Sequence, residues 1–116
     1  MPTPILVAVR DLVFRSKIHA AAERLGVPVR FAPRGTPLSE AARDLGDGTV
    51  LADLAEPGVL DEVRAAKRAG KVRIVGFLGH LEVGLARAAT EAGVDEVLSR
   101  GQLVQRLDEL LLGARN

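Results

Sequence analysis

The sequence contains no cysteine, no tryptophan and no tyrosine, and its only large aromatic rings belong to three phenylalanines. Without cysteine, neither a disulfide framework nor a metal site with thiolate ligands can form, and cysteine usage leaves the redox compartment undetermined. Valine, leucine, isoleucine and alanine must therefore build most of the core. The lack of Trp and Tyr also disfavours a flavin, because its ring would be without its usual stacking partners.

An excess of one charge and a long apolar run are missing as well. Sixteen basic and fifteen acidic residues give a net charge of +1, whereas a nucleic-acid-binding protein concentrates positive charge. No apolar run approaches the ~18 residues of a membrane-spanning helix, and the N-terminus lacks the pattern of a signal peptide. We therefore expect no nucleic-acid partner, no membrane association and a cytoplasmic location. The length of 116 residues predicts a single domain over residues 1–116.

Short apolar runs alternate with helical patterns along the chain. These runs have the length of strands and are apolar throughout, which is typical of parallel strands covered by helices on both faces. Five strands and five helices are predicted, and short right-handed crossovers favour an α/β fold with a doubly wound parallel sheet of strand order 2-1-3-4-5. The predicted strands are residues 5–10, 27–32, 49–53, 72–78 and 94–98.

Local signals place the helix boundaries. Gly26 is predicted to end the first helix in a left-handed conformation, and Gly70 and Gly93 to end the third and fourth. The run Ser99-Arg100-Gly101-Gln102 has the pattern of a capping box, which begins the last helix. That helix is expected to present one broad apolar face formed by Leu103, Val104, Leu107, Leu110 and Leu111.

Two aspartates follow predicted strands. Asp53 ends the third strand, with Pro57 four residues later, and Asp11 follows the first strand. Because open parallel α/β sheets place their chemistry at the carboxyl ends of central strands, both carboxylates are expected to lie in one crevice. Arg10 directly precedes Asp11, so a cation is expected in the same crevice.

The chain resembles the receiver domain of two-component response regulators, which has the CheY-like, flavodoxin-like fold, along essentially its full length. The resemblance is carried by Asp11, by Asp53 with Pro57, by Ala92-Gly93 before strand five and by Arg100 after it. It implies a phosphoryl-accepting aspartate after strand three and two adjacent acids after strand one that hold Mg²⁺. It also implies a Ser or Thr after strand four and a lysine after strand five.

The chain departs from that pattern at three positions, and so resembles an atypical receiver, or pseudo-receiver. Arg10 replaces the first acid and Arg100 the lysine, while Gly79, or Leu78 if the alignment shifts by one residue, replaces the hydroxyl. Val97 occupies the position at which receiver domains often have an aromatic residue that switches its side-chain rotamer. The usual phosphorylation relay would therefore lack several of its parts.

Arg10 is predicted to pair with Asp53 or Asp11, although its place at the end of a strand also allows it to face solvent. Arg100 is expected to strengthen the same pairing from the other side of the crevice. A guanidinium about 4 Å from a carboxylate is attracted by roughly 4 kcal/mol at an effective dielectric of 20, before desolvation. It would compete with a divalent cation for the same oxygens. We therefore expect no cofactor and no catalytic residue; if Mg²⁺ does bind, Asp11 and Asp53 would hold it.

The sequence thus favours a stand-alone pseudo-receiver that is not an enzyme and that binds an unidentified signalling protein. A homodimer is the alternative partner. The apolar residues expected to form the interaction surface are Leu81, Val83, Leu85, Val97 and Leu112. Two other functions stay open. The protein could be a phosphoacceptor modified on Asp53, or a sensor of anions or small ligands that uses Arg10, Arg100 and His80.

Overall fold

The computed structural model describes residues 5–33, 35–43, 45–79 and 82–113. The elements are β1 (Ile5–Ala8), α1 (Leu12–Leu25), β2 (Val29–Phe31), α2 (Leu38–Arg43), β3 (Thr49–Asp53), α3 (Val59–Ala69), β4 (Arg73–Leu78), α4 (Val83–Ala92), β5 (Glu96–Ser99), α5 (Arg100–Gln105) and α6 (Leu107–Gly113). All strand pairs are parallel, and the order β2-β1-β3-β4-β5 confirms the predicted doubly wound sheet.

Helices cover the sheet on both faces, as the apolar strands require. All five residues of β3 are buried. On one face, side chains of α2, α3 and α4 form a core cluster with the sheet, and on the other face α1, α5 and α6 form a second one. No helix in the described part of the chain is both long and apolar enough to cross a lipid bilayer.

The last helix differs from the prediction because it is interrupted. α5 ends before Arg106, whose φ and ψ of −103° and 10° are not helical, and α6 begins at the next residue. The guanidinium of Arg106 donates a hydrogen bond of 2.6 Å to Glu96 on β5. Val104 was expected on the apolar face but is 45% exposed. The buried residues Leu103, Leu107 and Leu111 repeat every four positions, so the apolar stripe is narrower than predicted.

A close packing contact fixes the chain just after Asp53. Leu54 is 2% exposed, and its backbone N–H donates to the carbonyl of Phe77 at 3.0 Å. A Cβ atom at Gly76 would lie 2.6 Å from the Leu54 Cγ atom, so this position in β4 requires glycine. The missing side chain therefore gives Leu54 its space in the core and helps to hold the start of the loop between β3 and α3.

The predicted helix ends are confirmed in part. Gly26 and Gly93 adopt positive φ values of 69° and 115° and end α1 and α4. Gly70 follows α3 in an extended conformation. Ser99 and Gln102 form the predicted capping box at the start of α5.

Candidate functional site

The parallel sheet brings four of the predicted pocket residues to one edge. Asp53 is the last residue of β3, while Asp11, Gly79 and Arg100 follow β1, β4 and β5. β4 extends through the buried Leu78, so Gly79 is the first residue after the strand. Because the carboxyl ends of parallel strands meet at the same edge, these residues surround one crevice. The predicted pocket residue His80 lies outside the described residues.

Each aspartate uses one carboxylate oxygen to fix the local backbone. Asp11 is the N-cap of α1, and its Oδ1 atom accepts from the N–H groups of Val13 and Phe14 at 2.9 and 3.1 Å. The Oδ1 atom of Asp53 accepts from the N–H of Ala55 at 3.0 Å. These bonds fix the directions of the two carboxylates and leave one oxygen of each to face the crevice.

Arg100 lies between the two remaining oxygens. Its Nη1 atom is 3.9 Å from the Oδ2 atom of Asp11, and its Nη2 atom is 3.8 Å from the Oδ2 atom of Asp53. The side chain of Asp53 is only 9% exposed, whereas the other two side chains are more than one-third exposed. One positive charge thus faces two negative charges in a half-buried site, which lowers the electrostatic cost of burying Asp53.

Two aromatic rings support the guanidinium of Arg100. Its central carbon lies 5.2 Å from the ring centre of Phe14 and 6.0 Å from that of Phe77, and the two rings are 5.1 Å apart. These distances suit cation–π attraction. Arg100 is also the first residue of α5, directly after the Ser99 cap, so the capping box fixes where its side chain leaves the backbone. Local helix capping and two of the three phenylalanines therefore direct Arg100 into the crevice.

The N–H groups of the Arg100 side chain are not all satisfied by hydrogen bonds among the residues that the structure describes. Its Nε atom is buried and has no hydrogen-bond partner in the described part of the protein. A Cβ atom at Gly79 would lie 3.6 Å from this nitrogen. The distances of 3.8 and 3.9 Å to the carboxylates also exceed the ~2.8 Å of a charge-assisted hydrogen bond. The attraction is therefore mainly electrostatic, and the crevice is not closed by direct hydrogen bonds.

The predicted pairing of Arg10 with Asp11 or Asp53 is wrong. The Nε atom of Arg10 lies 3.2 Å from the Oε2 atom of Glu56, and the Arg10 side chain is 69% exposed. β1 ends at Ala8, two residues earlier than predicted, and the chain then turns so that Arg10 faces solvent. Sequence reasoning missed Glu56, although its place in the loop after Asp53 was a signal that could have identified it.

The two carboxylate oxygens of the crevice suit a guanidinium better than a divalent cation. Among the described residues, no three or more His, Cys, Asp or Glu side chains come together as a metal site. Mg²⁺ binds through oxygen ligands in near-octahedral geometry, often through one or two carboxylates with water and phosphate. Here the free oxygens of both carboxylates face Arg100, and its positive charge would repel Mg²⁺.

The structure separates the residues of the predicted interaction surface. Val83 is 61% exposed and Leu112 is 40% exposed. Leu85 and Val97, by contrast, are half-buried and pack against the core, so they offer less surface than expected. Leu81 lies outside the described residues.

Sequence reasoning also missed two exposed apolar residues at the start of α1. Leu12 is 75% exposed and Val13 is 65% exposed. Both lie between Asp11 and Phe14, before the buried face of α1 begins. Their apolar side chains at positions outside that face were the available signal.

A separate ion-pair network lies at the opposite edge of the sheet. Glu96, the first residue of β5, accepts from Arg106 at 2.6 Å and from Arg73 at 3.0 Å. The hydrogen bond from Arg106, its charge and the Arg73 contact hold the pKa of Glu96 below its ordinary value of 4.5, although burial acts in the opposite direction. This network links β4, β5 and the junction between α5 and α6, and we assign it a structural role.

Solved structures share this fold, whereas sequence comparison alone finds no relative. No family model matches the sequence, and no curated protein is similar to it in sequence. The response regulator domain of Thermotoga maritima CheB is 14% identical, with a TM-score of 0.78 over 100% of this chain and 98% of that one.

Two further structures are similar and contain ligands. A response regulator protein from Burkholderia pseudomallei, with a phosphorylated aspartic acid, a calcium ion and citrate, is 21% identical; the TM-score is 0.76 over 95% of this chain and 66% of that one. The receiver domain of a sensor histidine kinase from Pseudomonas aeruginosa PAO1, with magnesium in its active-site cleft, is 21% identical; the TM-score is 0.71 over 97% and 99% of the two chains. The chain therefore has the fold of response regulator receiver domains, as the resemblance implied.

Proposed function

We propose that this protein is a receiver-like signalling protein that acts by binding a partner protein. In this proposal Arg100 holds the aspartate crevice in one conformation. Binding of Mg²⁺ and transfer of a phosphoryl group then do not switch the protein between two conformations. The observation that carries the proposal is the Arg100 guanidinium, within 4 Å of the carboxylates of both Asp11 and Asp53.

The position of Arg100 opposes both parts of a magnesium-dependent phosphorylation. Transfer to an aspartate requires a free carboxylate nucleophile and neutralisation of charge on the phosphoryl group, for which metal ions usually provide much of the positive charge. The attraction between Arg100 and Asp53 lowers the nucleophilicity of that carboxylate. The same guanidinium competes with a divalent cation for the Oδ2 oxygens.

The surroundings of the crevice support the same function. Gly79 provides no hydroxyl that could move toward a phosphoryl group on Asp53. Val97 is an aliphatic side chain that packs partly against the core, and it replaces the aromatic switch residue that the resemblance implies. A phosphoryl group on Asp53 would therefore lack the two side chains that usually transmit its presence to the surface.

The test is an amide NMR titration with Mg²⁺ and beryllofluoride, which mimics a phosphoryl group on an aspartate. We expect only small, non-saturating shifts around Asp53, equal to those of an Asp53→Asn variant under the same conditions. Large shifts that saturate with magnesium in the wild type and vanish in Asp53→Asn would refute the proposal.

One feature of the crevice favours a second function, in which Asp53 accepts a phosphoryl group. The Oδ2 atom of Asp53 lies 3.8 Å from Arg100, too far for a hydrogen bond, so this oxygen faces the crevice. A guanidinium also binds phosphate oxygens well and could stabilise the product. The similar B. pseudomallei protein contains a phosphorylated aspartic acid.

Mass spectrometry after incubation with acetyl phosphate distinguishes the two functions. A gain of one phosphoryl group that disappears in Asp53→Asn would establish the second function. An unchanged mass, with a response regulator of known activity as the positive control, is the outcome expected under the first proposal.

The partner-binding surface is proposed to include the exposed residue Val83 at the start of α4. Val83 is 61% exposed, and it belongs to the interaction surface that the sequence predicts. A homodimer is tested by light scattering over a range of protein concentrations. If two copies associate through this surface, Val83→Ser should shift the equilibrium toward monomer. Val104→Ser, which changes another exposed valine on α5, is the control and should leave the equilibrium unchanged.

A further inference from the structure

A second cavity lies beside the aspartate crevice, on the side of β1 and β2. Its volume is about 440 Å³, and the connections that follow β1, β2 and β3 form its walls. Asp53 and Arg100 do not line it. We call it the β1–β2 cleft, and its main lining residues are Arg10, Leu12, Arg15, Pro33, Pro37 and Glu56.

Among the described charged groups of the β1–β2 cleft, Arg15 is a cation without an anionic partner. Arg10 is paired with Glu56 at 3.2 Å, and the Oε1 atom of Glu62 accepts from the N–H of Leu38 at 2.8 Å. The guanidinium of Arg15 lies 4.9 Å from the ring centre of Phe31. Within the described ranges, no carboxylate or carbonyl accepts a hydrogen bond from this guanidinium. The ring holds Arg15 in place while its N–H groups stay available to a ligand.

We propose that the β1–β2 cleft binds a small organic carboxylate with an apolar body. The carboxylate would accept from Arg15, whose planar fork matches its two oxygens, with Arg10 nearby. The apolar part of the ligand would contact Leu12, Pro33 and Pro37. The volume is within the range of small-molecule pockets, and the cleft adjoins the point between β1 and β3 where open α/β sheets bind ligands.

The two glutamates of the cleft decide between classes of anion. Glu56 and Glu62 both line the cavity, and their charges are already engaged by Arg10 and by the backbone of α2. A phosphate dianion would be repelled by these carboxylates more strongly than a monoanion. The proposal also gives a role to Arg10, which lines the rim of the cleft and is paired with Glu56 rather than with an aspartate of the crevice.

Benzoate is a suitable probe, and benzamide is its neutral counterpart of equal shape. In amide NMR titrations we expect benzoate to shift the signals of Arg10, Leu12, Arg15 and Thr36 in a saturable manner, with benzamide far weaker. Arg15→Gln should weaken benzoate binding by about tenfold or more, through loss of a charged hydrogen bond. Arg87→Gln removes an exposed arginine of α4 and should bind benzoate like the wild type.

Several results would overturn the proposal, four of them in titrations of the wild type and Arg15→Gln. They are the absence of saturable shifts with benzoate at tens of millimolar, equal binding of benzamide, unchanged affinity in Arg15→Gln, and tighter binding of inorganic phosphate at the same residues. The proposal is independent of the function assigned to the aspartate crevice. Benzoate binding should therefore be unchanged in Asp53→Asn. Tighter binding in that variant would indicate that benzoate binds beside Arg100 in the aspartate crevice, because the substitution removes a competing negative charge.

Discussion

Replacing Arg100 with methionine removes the cation between the two aspartates and keeps an apolar chain on the phenylalanine rings. At 3.8 and 3.9 Å, each ion pair is attracted by roughly 4 kcal/mol at an effective dielectric of 20. Solvent screening reduces this value, because the Arg100 side chain is 39% exposed. The buried Nε atom of Arg100, which has no hydrogen-bond partner among the described residues, further offsets this attraction by about 1–3 kcal/mol. We expect Arg100→Met to lower the free energy of unfolding by about 2 kcal/mol.

A double-mutant cycle isolates the electrostatic part of this loss. Urea unfolding should be followed by far-UV circular dichroism, because the chain has no Trp or Tyr for fluorescence. In the Arg100→Met background, Asp53→Asn should recover part of the stability, since it removes a buried carboxylate without a counter-charge. The coupling between the two positions should be about 1 kcal/mol or more and should shrink at high salt.

The matched control is Arg87→Met, which removes an exposed arginine that makes no ion pair within the described ranges. Its stability should stay within about 0.5 kcal/mol of the wild type. Equal stability of Arg100→Met and the wild type would contradict an electrostatic role of Arg100. An equal effect of Asp53→Asn with and without Arg100 would contradict the coupling between the two residues.

Three further predictions concern the surroundings of the site and the opposite edge of the sheet. Gly76→Ala should destabilise the protein by about 1–3 kcal/mol in urea unfolding, because the new methyl group would overlap the buried side chain of Leu54. Gly79→Ser should be more stable than Gly79→Ala, because its hydroxyl can accept from the buried Nε atom of Arg100, and equal stabilities would contradict this hydrogen bond. Glu96→Gln should be less stable than the wild type near neutral pH. Because folding lowers the pKa of Glu96 below 4.5, the stability difference between Glu96→Gln and the wild type should be complete above pH 4.5. It should disappear as the pH falls from 4.5 through the lowered pKa. A stability difference independent of pH would contradict the ion-pair network.

The fold was largely predictable because its determinants are local. Apolar runs such as 49–53, each followed by a helical pattern, leave few arrangements other than a parallel sheet covered on both faces. Gly26, Gly93 and the Ser99 capping box marked helix ends through backbone geometry that depends on nearby residues alone. The interruption at Arg106 was not predicted, since it coincides with a contact to Glu96 on another element.

The candidate site was only partly predictable, because it depends on where long side chains point. The sequence identified Asp11, Asp53 and Arg100 as neighbours at the ends of strands, and in the structure both carboxylates lie within 4 Å of Arg100. It assigned the pairing cation to Arg10, which turns away to Glu56. Whether an arginine after a strand faces inward or outward depends on where the strand ends and on distant partners, here the phenylalanine rings beneath Arg100.

Metal binding to the wild type and to Arg100→Met tests whether Arg100 occupies the place of a divalent cation between the two aspartates. Mn²⁺ is a paramagnetic substitute for Mg²⁺ that also prefers oxygen ligands, and it broadens the NMR signals of nearby amides. We expect no saturable broadening next to Asp11 and Asp53 in the wild type at millimolar Mn²⁺, and saturable broadening there once Arg100 is removed. Saturable broadening of equal affinity in both proteins would show that Arg100 does not hold the place of a divalent cation.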